Sequence, residues 1–588
     1  MKKIIYIISI IVLTSSFGSC YDLDTYPGDK VNQGQFWKDE SEVKQGLIGI
    51  YSVLRADYVY GLQFMYDNIG ELGIGYHSQS YVDATNGNYT GRTDIVEGRW
   101  QAMYEVIQRS NGFIRNTQNV SFLTAEQKDT YIAEAKFLRA MFYFSLMDIF
   151  GAVPYYDETT DVNADYATLF NPRSSVEQIR SYILSDLDIA INKLPVKWED
   201  SQYGRATKGA AYALRGKVYL YNKEWTKAIA DFEEVVYNKS NNYGYQLYGD
   251  YAELFNLYGG KKSNEMIFAI QNIGGTSNAN GMRFAFYLGT RSTYGSCWNN
   301  GMPSCDLVDM YDYPDGKPFN WEDAFPGFNA QDPDTQYANR RSHLDIKLST
   351  DGKKIESTLN ADINKIKAAY ENRDPRLVTT VITPYSTYLG WFSNAAKDME
   401  FALHSTTGGS PNESNGFIRN NNNWATYFWR KFVPEANLGG ALTDRSHTPI
   451  EFPLIRLGDV LLMLSEAYNE NNQLDKSIVE FNKVRARASV NMPGLNSGPS
   501  WLAVASKEQM RERIYKERAV ELACEGHRYS DLRRWGIAKS VLNNKPVANI
   551  YGKTLYTHKF EDKDMLWPVP TVEIEMNSNL LPNNPGWE

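Results

Sequence analysis

Two stretches far apart in this chain repeat one spacing of small and aromatic residues. In ALRGKVYLYNKEWTKAIADFEEVV the positions are Gly216, Tyr219, Ala228 and Phe232. In VLLMLSEAYNENNQLDKSIVEFNKV they are Ser465, Tyr468, Ser477 and Phe481. A small residue lets two antiparallel helices approach closely, and an aromatic ring fills the gap beside it. That pattern is the core of a tetratricopeptide-like helix pair. The two copies are not tandem, so a simple solenoid is excluded.

Further helix signals surround these copies. Thr124-x-x-Gln127 is a capping box. The run after it, YIAEAKFLRAMFYFSLMDIF, carries apolar residues at intervals of three and four, and Gly151 and Pro154 stop it. Ser174-x-x-Glu177 opens a helix that Pro195 ends, and Thr207 precedes another. Ser506-x-x-Gln509 opens a last helix that reads on through MRERIYKERAVELACEGHRYSDLRRWG. Trp100, spaced helically with Tyr104 and Ile107, is expected in the core. The predicted fold is mainly α, with helix pairs forming a scaffold over 31–242 and 454–540. Residues 243–453 are rich in Gly, Asn, Asp, Pro and aromatics, with little helical periodicity. They are expected to form a loop-rich portion packed on the scaffold. Long stretches without regular structure are unusual unless functional, and binding residues commonly sit on loops held by a rigid frame.

The first twenty residues, MKKIIYIISIIVLTSSFGSC, read as an address. Two lysines, a short apolar run and small residues make a secretory signal, and the run is too short to span a bilayer as a helix. Gly18-Ser19-Cys20 resembles a bacterial lipobox. That implies removal of 1–19, acylation of Cys20 and anchoring of one domain, 20–588, by its acyl chains. Asp22 and Asp24 resemble a surface-export signal. With Cys20 acylated, Cys297, Cys305 and Cys524 remain. Cys297 and Cys305 are close enough in sequence to pair in an oxidising compartment, and Cys524 is expected as a small core residue.

The chemistry that can be excluded is broad. A formal charge of −9 carries no basic footprint for nucleic acid. The six histidines fall in no metal-ligand spacing, and there is no P-loop, Rossmann fingerprint or nucleophile elbow. Glu517, Arg518, Glu521, Arg528 and Arg533 are expected to form supporting ion pairs rather than a catalytic cluster. Ser530, His527 and Asp531 lie too close on one predicted helix to argue for a triad. No cofactor is implied, and whether a calcium ion stiffens a loop is left open.

An ordered set of strings resembles the RagB/SusD family of nutrient-uptake lipoproteins. Beyond the signal ending in Cys20, they are YIAEAKFLRAMFYFSLMDIFGAVP at 131–154, PSCDLVDMYDYPDGKP at 303–318 and NRDPRL at 372–377. RLGDVLLMLSEAYNE at 456–470, ERAVELACEGHRYSDLRRWG at 517–536 and LWPVPTVEIEMNSNLLPNNPGW at 566–587 complete it. The resemblance implies four tetratricopeptide-like helix pairs with a loop-rich portion packed on them. It implies a non-enzymatic outer-membrane protein facing outward that binds an oligosaccharide or polysaccharide. It also implies a partner, a SusC-like TonB-dependent transporter, over which the lipoprotein acts as a lid. Asp374-Pro375-Arg376 reads as an ion-pairing turn, and no contact residue carries over with the resemblance. A lipoprotein glycoside hydrolase, a purely protein-binding scaffold and a peptide-binding protein are the alternatives.

Sugar rings stack their C–H faces on Trp and Tyr and need polar groups at their edges. Three regions have that composition. The first holds Tyr76, His77 and Tyr81, followed by Arg92. The second holds Tyr287, Tyr294, Trp298 and Asn299. The third holds Trp391 and Phe392, with Trp424 and Trp429. Trp321, beside the DGKP turn, is a further candidate.

Overall fold

The computed structural model describes residues 36–160, 169–256, 261–274, 280–358, 362–404, 411–419 and 424–588. The signal segment and Cys20 lie outside them. The long helices are α1 (Glu40–Ser52), α2 (Asp94–Asn119), α3 (Ala125–Phe150), α4 (Val176–Lys193), α5 (Lys208–Tyr221) and α6 (Trp225–Tyr237). After the long intervening segment come α7 (Leu457–Glu470), α8 (Leu474–Arg485) and α9 (Lys507–Glu521). Consecutive helices from α2 to α6 pack on one another, α6 packs on α7, and α7 is covered by α8 and α9.

Local chemistry sets the ends of these helices. Thr124 and Gln127 form the expected capping box of α3, and Gly151 closes it at φ 70°. Thr207 caps α5 and Ser506 caps α9. The cap of α4 lies one residue beyond the expected Ser174. Ser175 and Gln178 make the box, because the Ser174 amide donates to Val153 O at 2.9 Å in a bridge. The last predicted helix is also broken. It stops at Glu521 and resumes as a short helix, Arg528–Arg534. Between them Asp67 accepts the Cys524 amide at 2.6 Å, and Gly526, at φ 75°, passes so near Gln63 O that a Cβ would lie 1.9 Å from it. Only glycine fits there. Cys524 is buried as expected, but in this break rather than on a helix. Trp100 is in the core.

The two spacing-matched pairs form hairpins that stack side by side. In α5–α6, a Cβ on Gly216 would sit 2.6 Å from the Phe232 ring. In α7–α8, the same position is filled by a pair of hydroxyls. Ser465 Oγ donates to Ser477 O at 2.8 Å, and Ser477 Oγ donates back to Ser465 O at 2.7 Å. Across the pairs, the Tyr468 hydroxyl donates to Glu233 and the Tyr237 hydroxyl to Glu480. Chain order separates the copies, while α6–α7 packing rejoins them.

Apart from the helix Pro333–Leu344, the intervening segment contains short elements, and its sheets are two-stranded. It is fastened by β2 (Met266–Ile270) pairing antiparallel with β6 (Phe452–Arg456), which runs directly into α7. At that junction lies a buried ionic knot. Arg456 reaches Glu265 at 3.0 Å, Glu521 at 2.8 Å and Glu525 at 2.7 Å. Arg487 and Arg376 each reach Glu521 at 2.8 Å. Arg376 also pairs with Asp374 and Glu517, and Lys431 with Glu525. Burial pushes the Glu521 carboxyl up, but the three guanidiniums outweigh it and hold it well below the ordinary range. Arg518 pairs with Asp459 and Asp531, Arg528 with Glu71, and Arg533 with Asp148. The structural reading of these charged residues holds.

Candidate functional site: an aromatic loop face

Three short loops meet beside a small two-stranded ladder. β1 (Gly73–Gly75) pairs with β3 (Gly301–Pro303), with Gly75 opposite Gly301. This register brings Tyr76, at the exit of β1, to the entry of β3. The Tyr76 hydroxyl donates to Trp298 O at 3.0 Å and to Asn300 Oδ1 at 3.2 Å. Its ring meets Trp424 edge-on, with centroids 5.0 Å apart. Ile74, Met302 and Val547 form an apolar floor beneath both rings. Ser80 shapes the turn that follows, its hydroxyl oxygen accepting from the amides of Tyr76 and His77 at 3.0 and 2.9 Å. His77 is exposed at the lip.

The loop carrying Trp298 is tied down through its backbone. The amides of Trp298, Asn299 and Asn300 donate to Phe286 O, Gly289 O and Tyr287 O at 3.0, 2.8 and 2.6 Å. Ser296 and Asn299 both adopt left-handed φ, 57° and 52°. The result is a fixed ring that stays open: Trp298 is 40% exposed. Phe286 stacks on it at 5.8 Å, and the Arg291 guanidinium lies 5.4 Å from its centroid. Arg445 braces the loop by donating to Gly295 O at 2.8 Å.

The same loop reaches the third region. β4 (Thr387–Phe392) and β5 (Ala395–Glu400) form a hairpin, and the Trp391 amide donates to Ser292 O at 2.8 Å. Tyr294 packs edge-on against Trp391 at 5.2 Å. Tyr76 thus joins the Trp298 backbone to the Trp424 ring, and Tyr294 on the same loop forms a second half-buried pair with Trp391 of β4. All five come from regions singled out in the sequence, brought together by the β1–β3 ladder, ring packing and the Trp391–Ser292 backbone bond.

Other expected contacts lie elsewhere. Tyr81 is 2% exposed, at φ 64°, with its ring against Tyr66. Asn299 is buried, and its backbone supports the loop while Trp298 faces out. Trp321 is 4% exposed, stacked on Phe328 at 4.4 Å, with Nε1 donating to Asp309 at 2.8 Å. These three are corrections, because a ring or amide enclosed by its own protein offers no face to a ligand. Tyr287 and Trp429 are buried likewise. Arg92 is exposed but engaged by Glu575. Sequence reasoning missed Asn300, Arg291 and Arg445. The run of Gly, Ser and aromatics around Arg291 is a usable signal, whereas nothing near Arg445 distinguishes it.

The cysteines stay separate. Cys297 and Cys305 are free thiols, turned to Tyr294 O at 3.3 Å and Ala548 O at 3.5 Å. Burial pushes the Cys297 thiol up to about 12, so it is not a ready nucleophile. Ser530, His527 and Asp531 form no relay. Ser530 donates to Asp148 at 2.6 Å, burial lowers the His527 imidazole to about 4, and Asp531 is held by Arg518 and Arg534. Among the described residues, no group of three or more His, Cys, Asp or Glu is placed to hold a metal ion, and no helix is long and apolar enough to cross a membrane.

Comparison with known proteins agrees with this architecture. Residues 264–587 match the SusD family, and residues 23–220 match a family described as starch-binding and associating with the outer membrane. SusD-like protein P25 of Formosa agariphila is 25% identical over 600 residues, covering 98% of each chain. The crystal structure of a SusD-like protein from Bacteroides fragilis superposes with a TM-score of 0.74 at 23% identity, covering 96% of this chain and 100% of that one. A SusD-like carbohydrate binding protein from the same organism gives a TM-score of 0.72 at 24% identity, covering 93% of this chain and 99% of that one. With more than half of its length matched by the family and its fold shared end to end, this chain belongs to the SusD family.

Proposed function

We propose that this protein captures oligosaccharide or polysaccharide at the outer membrane and hands it to a SusC-like TonB-dependent transporter, without cleaving it. The observation that carries the reading is the Tyr76–Trp298–Trp424 face. Hydrogen bonds fix the Tyr76 hydroxyl and the Trp298 backbone before any ligand arrives, and Trp298 keeps an open surface. Preorganised aromatic surface lowers the ordering cost of binding. Membership of the family, and the match to proteins described as starch-binding and associating with the outer membrane, support the same reading. The anchor is Cys20, which keeps captured ligand at high local concentration near the transporter mouth.

The test uses the mature chain on native gels containing single polysaccharides, starch and laminarin among them. The expected result is retardation by at least one polymer, with no reducing ends released. Trp298→Ala should abolish most of that retardation. Turnover of the polymer would instead make the protein a hydrolase. Co-purification with a barrel but no retention of any glycan would make it a scaffold.

A further inference from the structure

A cavity of about 280 Å³ opens where the α4–α5 loop meets β2, and it shares no lining residue with the aromatic loop face. Trp198 and Tyr203 line it from the loop, and Tyr243 and Tyr245 from the segment after α6. These rings are fixed. Trp198 Nε1 donates to Ala206 O at 2.8 Å, and the Tyr243 hydroxyl donates to Glu234 at 3.0 Å. The Tyr245 hydroxyl bonds Thr207 at 3.0 Å. The two tyrosine rings lie parallel within 2°. The cavity's polar lining includes the amides of Asn242, Asn264 and Gln271, beside Lys197, Asp200 and Thr207. Each primary amide offers two donors and an acceptor, a match for paired hydroxyls. Arg205 stacks on Trp198 at 3.6 Å and is committed to the buried Glu134, while Lys197 and Asp200 add one charge of each sign to the lining.

A buried group next to the cavity points the same way. Glu451 is 4% exposed, beside Tyr203 and Gln271, and its Oε2 has no hydrogen-bond partner among the described residues. Burial holds its carboxyl up at about 7, so near neutrality about half of it is protonated, with donor and acceptor capacity.

We propose that this cavity is a second carbohydrate-binding site, sized for a mono- or disaccharide unit and independent of the aromatic loop face. The half-buried rings of Trp198, Tyr203 and Tyr245 supply the stacking surface, and the amides of the lining pair with hydroxyls. A polysaccharide engaging both sites gains avidity through effective concentration rather than through new contacts.

Saturation-transfer NMR on the full mature chain tests this with glucose, galactose, xylose, rhamnose, maltose and laminaribiose as probes. In Trp298→Ala/Trp424→Ala, at least one of these sugars should keep its signal. Adding Asn264→Trp, which fills the mouth from an exposed position, should then weaken that binding at least about tenfold. If Asn264→Trp lowers the melting temperature, Asn242→Ala/Gln271→Ala replaces it with the same expectation. Absence of any signal in the Trp298→Ala/Trp424→Ala protein would overturn the second site. So would a signal that survives the rim substitutions. If every sugar and polysaccharide bound Trp298→Ala/Trp424→Ala as tightly as wild type, and only Asn264→Trp weakened them, the loop face would be refuted and the cavity would stand as the site.

Discussion

The ionic knot around Arg456 and the aromatic face around Trp298 are both made of side chains with polar handles, fixed by many hydrogen bonds. They differ in where those bonds end. In the knot, Arg456, Arg487 and Arg376 converge on Glu521, and all four side chains are enclosed. At the face, the bonds hold the backbone of the 286–300 loop and the Tyr76 hydroxyl, and the Trp298 surface stays open. Closure in the first case fastens the loop segment to the helices. Openness in the second leaves surface for a ligand. Two sets of substitutions should therefore separate cleanly into stability and binding.

The largest effect is expected at the knot. Arg456→Ala leaves three buried carboxylates short of a partner, a change that costs about 3–5 kcal/mol. Urea denaturation should show a lower midpoint by that measure. The pH dependence carries a sign. The Glu521 carboxyl is held below its ordinary value of 4.5 in the folded chain, so its stabilisation is complete above 4.5 and lost as pH falls through the folded value. Arg456→Ala should flatten that acid limb. An unchanged limb would remove Arg456 from the account.

Trp321→Ala comes next and tests a corrected expectation. The ring is enclosed by Phe325, Phe328 and Tyr370, so its loss should cost about 3 kcal/mol as a core truncation. Glycan retention by the remaining folded protein should not change. Weakened retention at unchanged stability would restore Trp321 as a ligand contact.

The scaffold was legible in the sequence because helix caps, small-residue spacing and apolar periodicity act locally. Thr124, Gly151, Thr207 and Ser506 each behave as their neighbours dictate. The break at Cys524 was not legible, since its causes, Asp67 and Gln63, come from far along the chain. The loop face was half legible. Composition picked out Tyr76, Trp298, Trp391 and Trp424. It could not separate Trp298 from Trp321, because burial depends on which partners a loop meets. Cys297 and Cys305 illustrate the same limit, being near in sequence yet bonded to different carbonyls.

A smaller effect separates the two helix pairs. Gly216→Ala gains helix propensity, about 1 kcal/mol. Its Cβ, however, would stand 2.6 Å from Phe232, which is fully buried and cannot swing away. Overpacking costs about 1–3 kcal/mol, so a net loss of about 1 kcal/mol in thermal or urea melts is expected. A stabilised variant would show that the α5–α6 hairpin can open without penalty.

The smallest effect is the most specific to the face. Tyr76→Phe keeps the ring against Trp424 and removes the hydroxyl that bonds Trp298 O and Asn300 Oδ1. The ring surface a sugar would stack on is unchanged. If binding draws on rings held in place beforehand, losing that tether should cost about 0.5–1.5 kcal/mol of affinity. Titration calorimetry with the retained polysaccharide would show a two- to tenfold weaker complex, against a larger loss in Trp298→Ala. Equal affinity in Tyr76→Phe and wild type would mean that the backbone bonds of the 286–300 loop alone position Trp298. The Tyr76 hydroxyl would then belong with the knot's chemistry, as internal fastening, and the comparison between the two regions would lose its sharpest contrast.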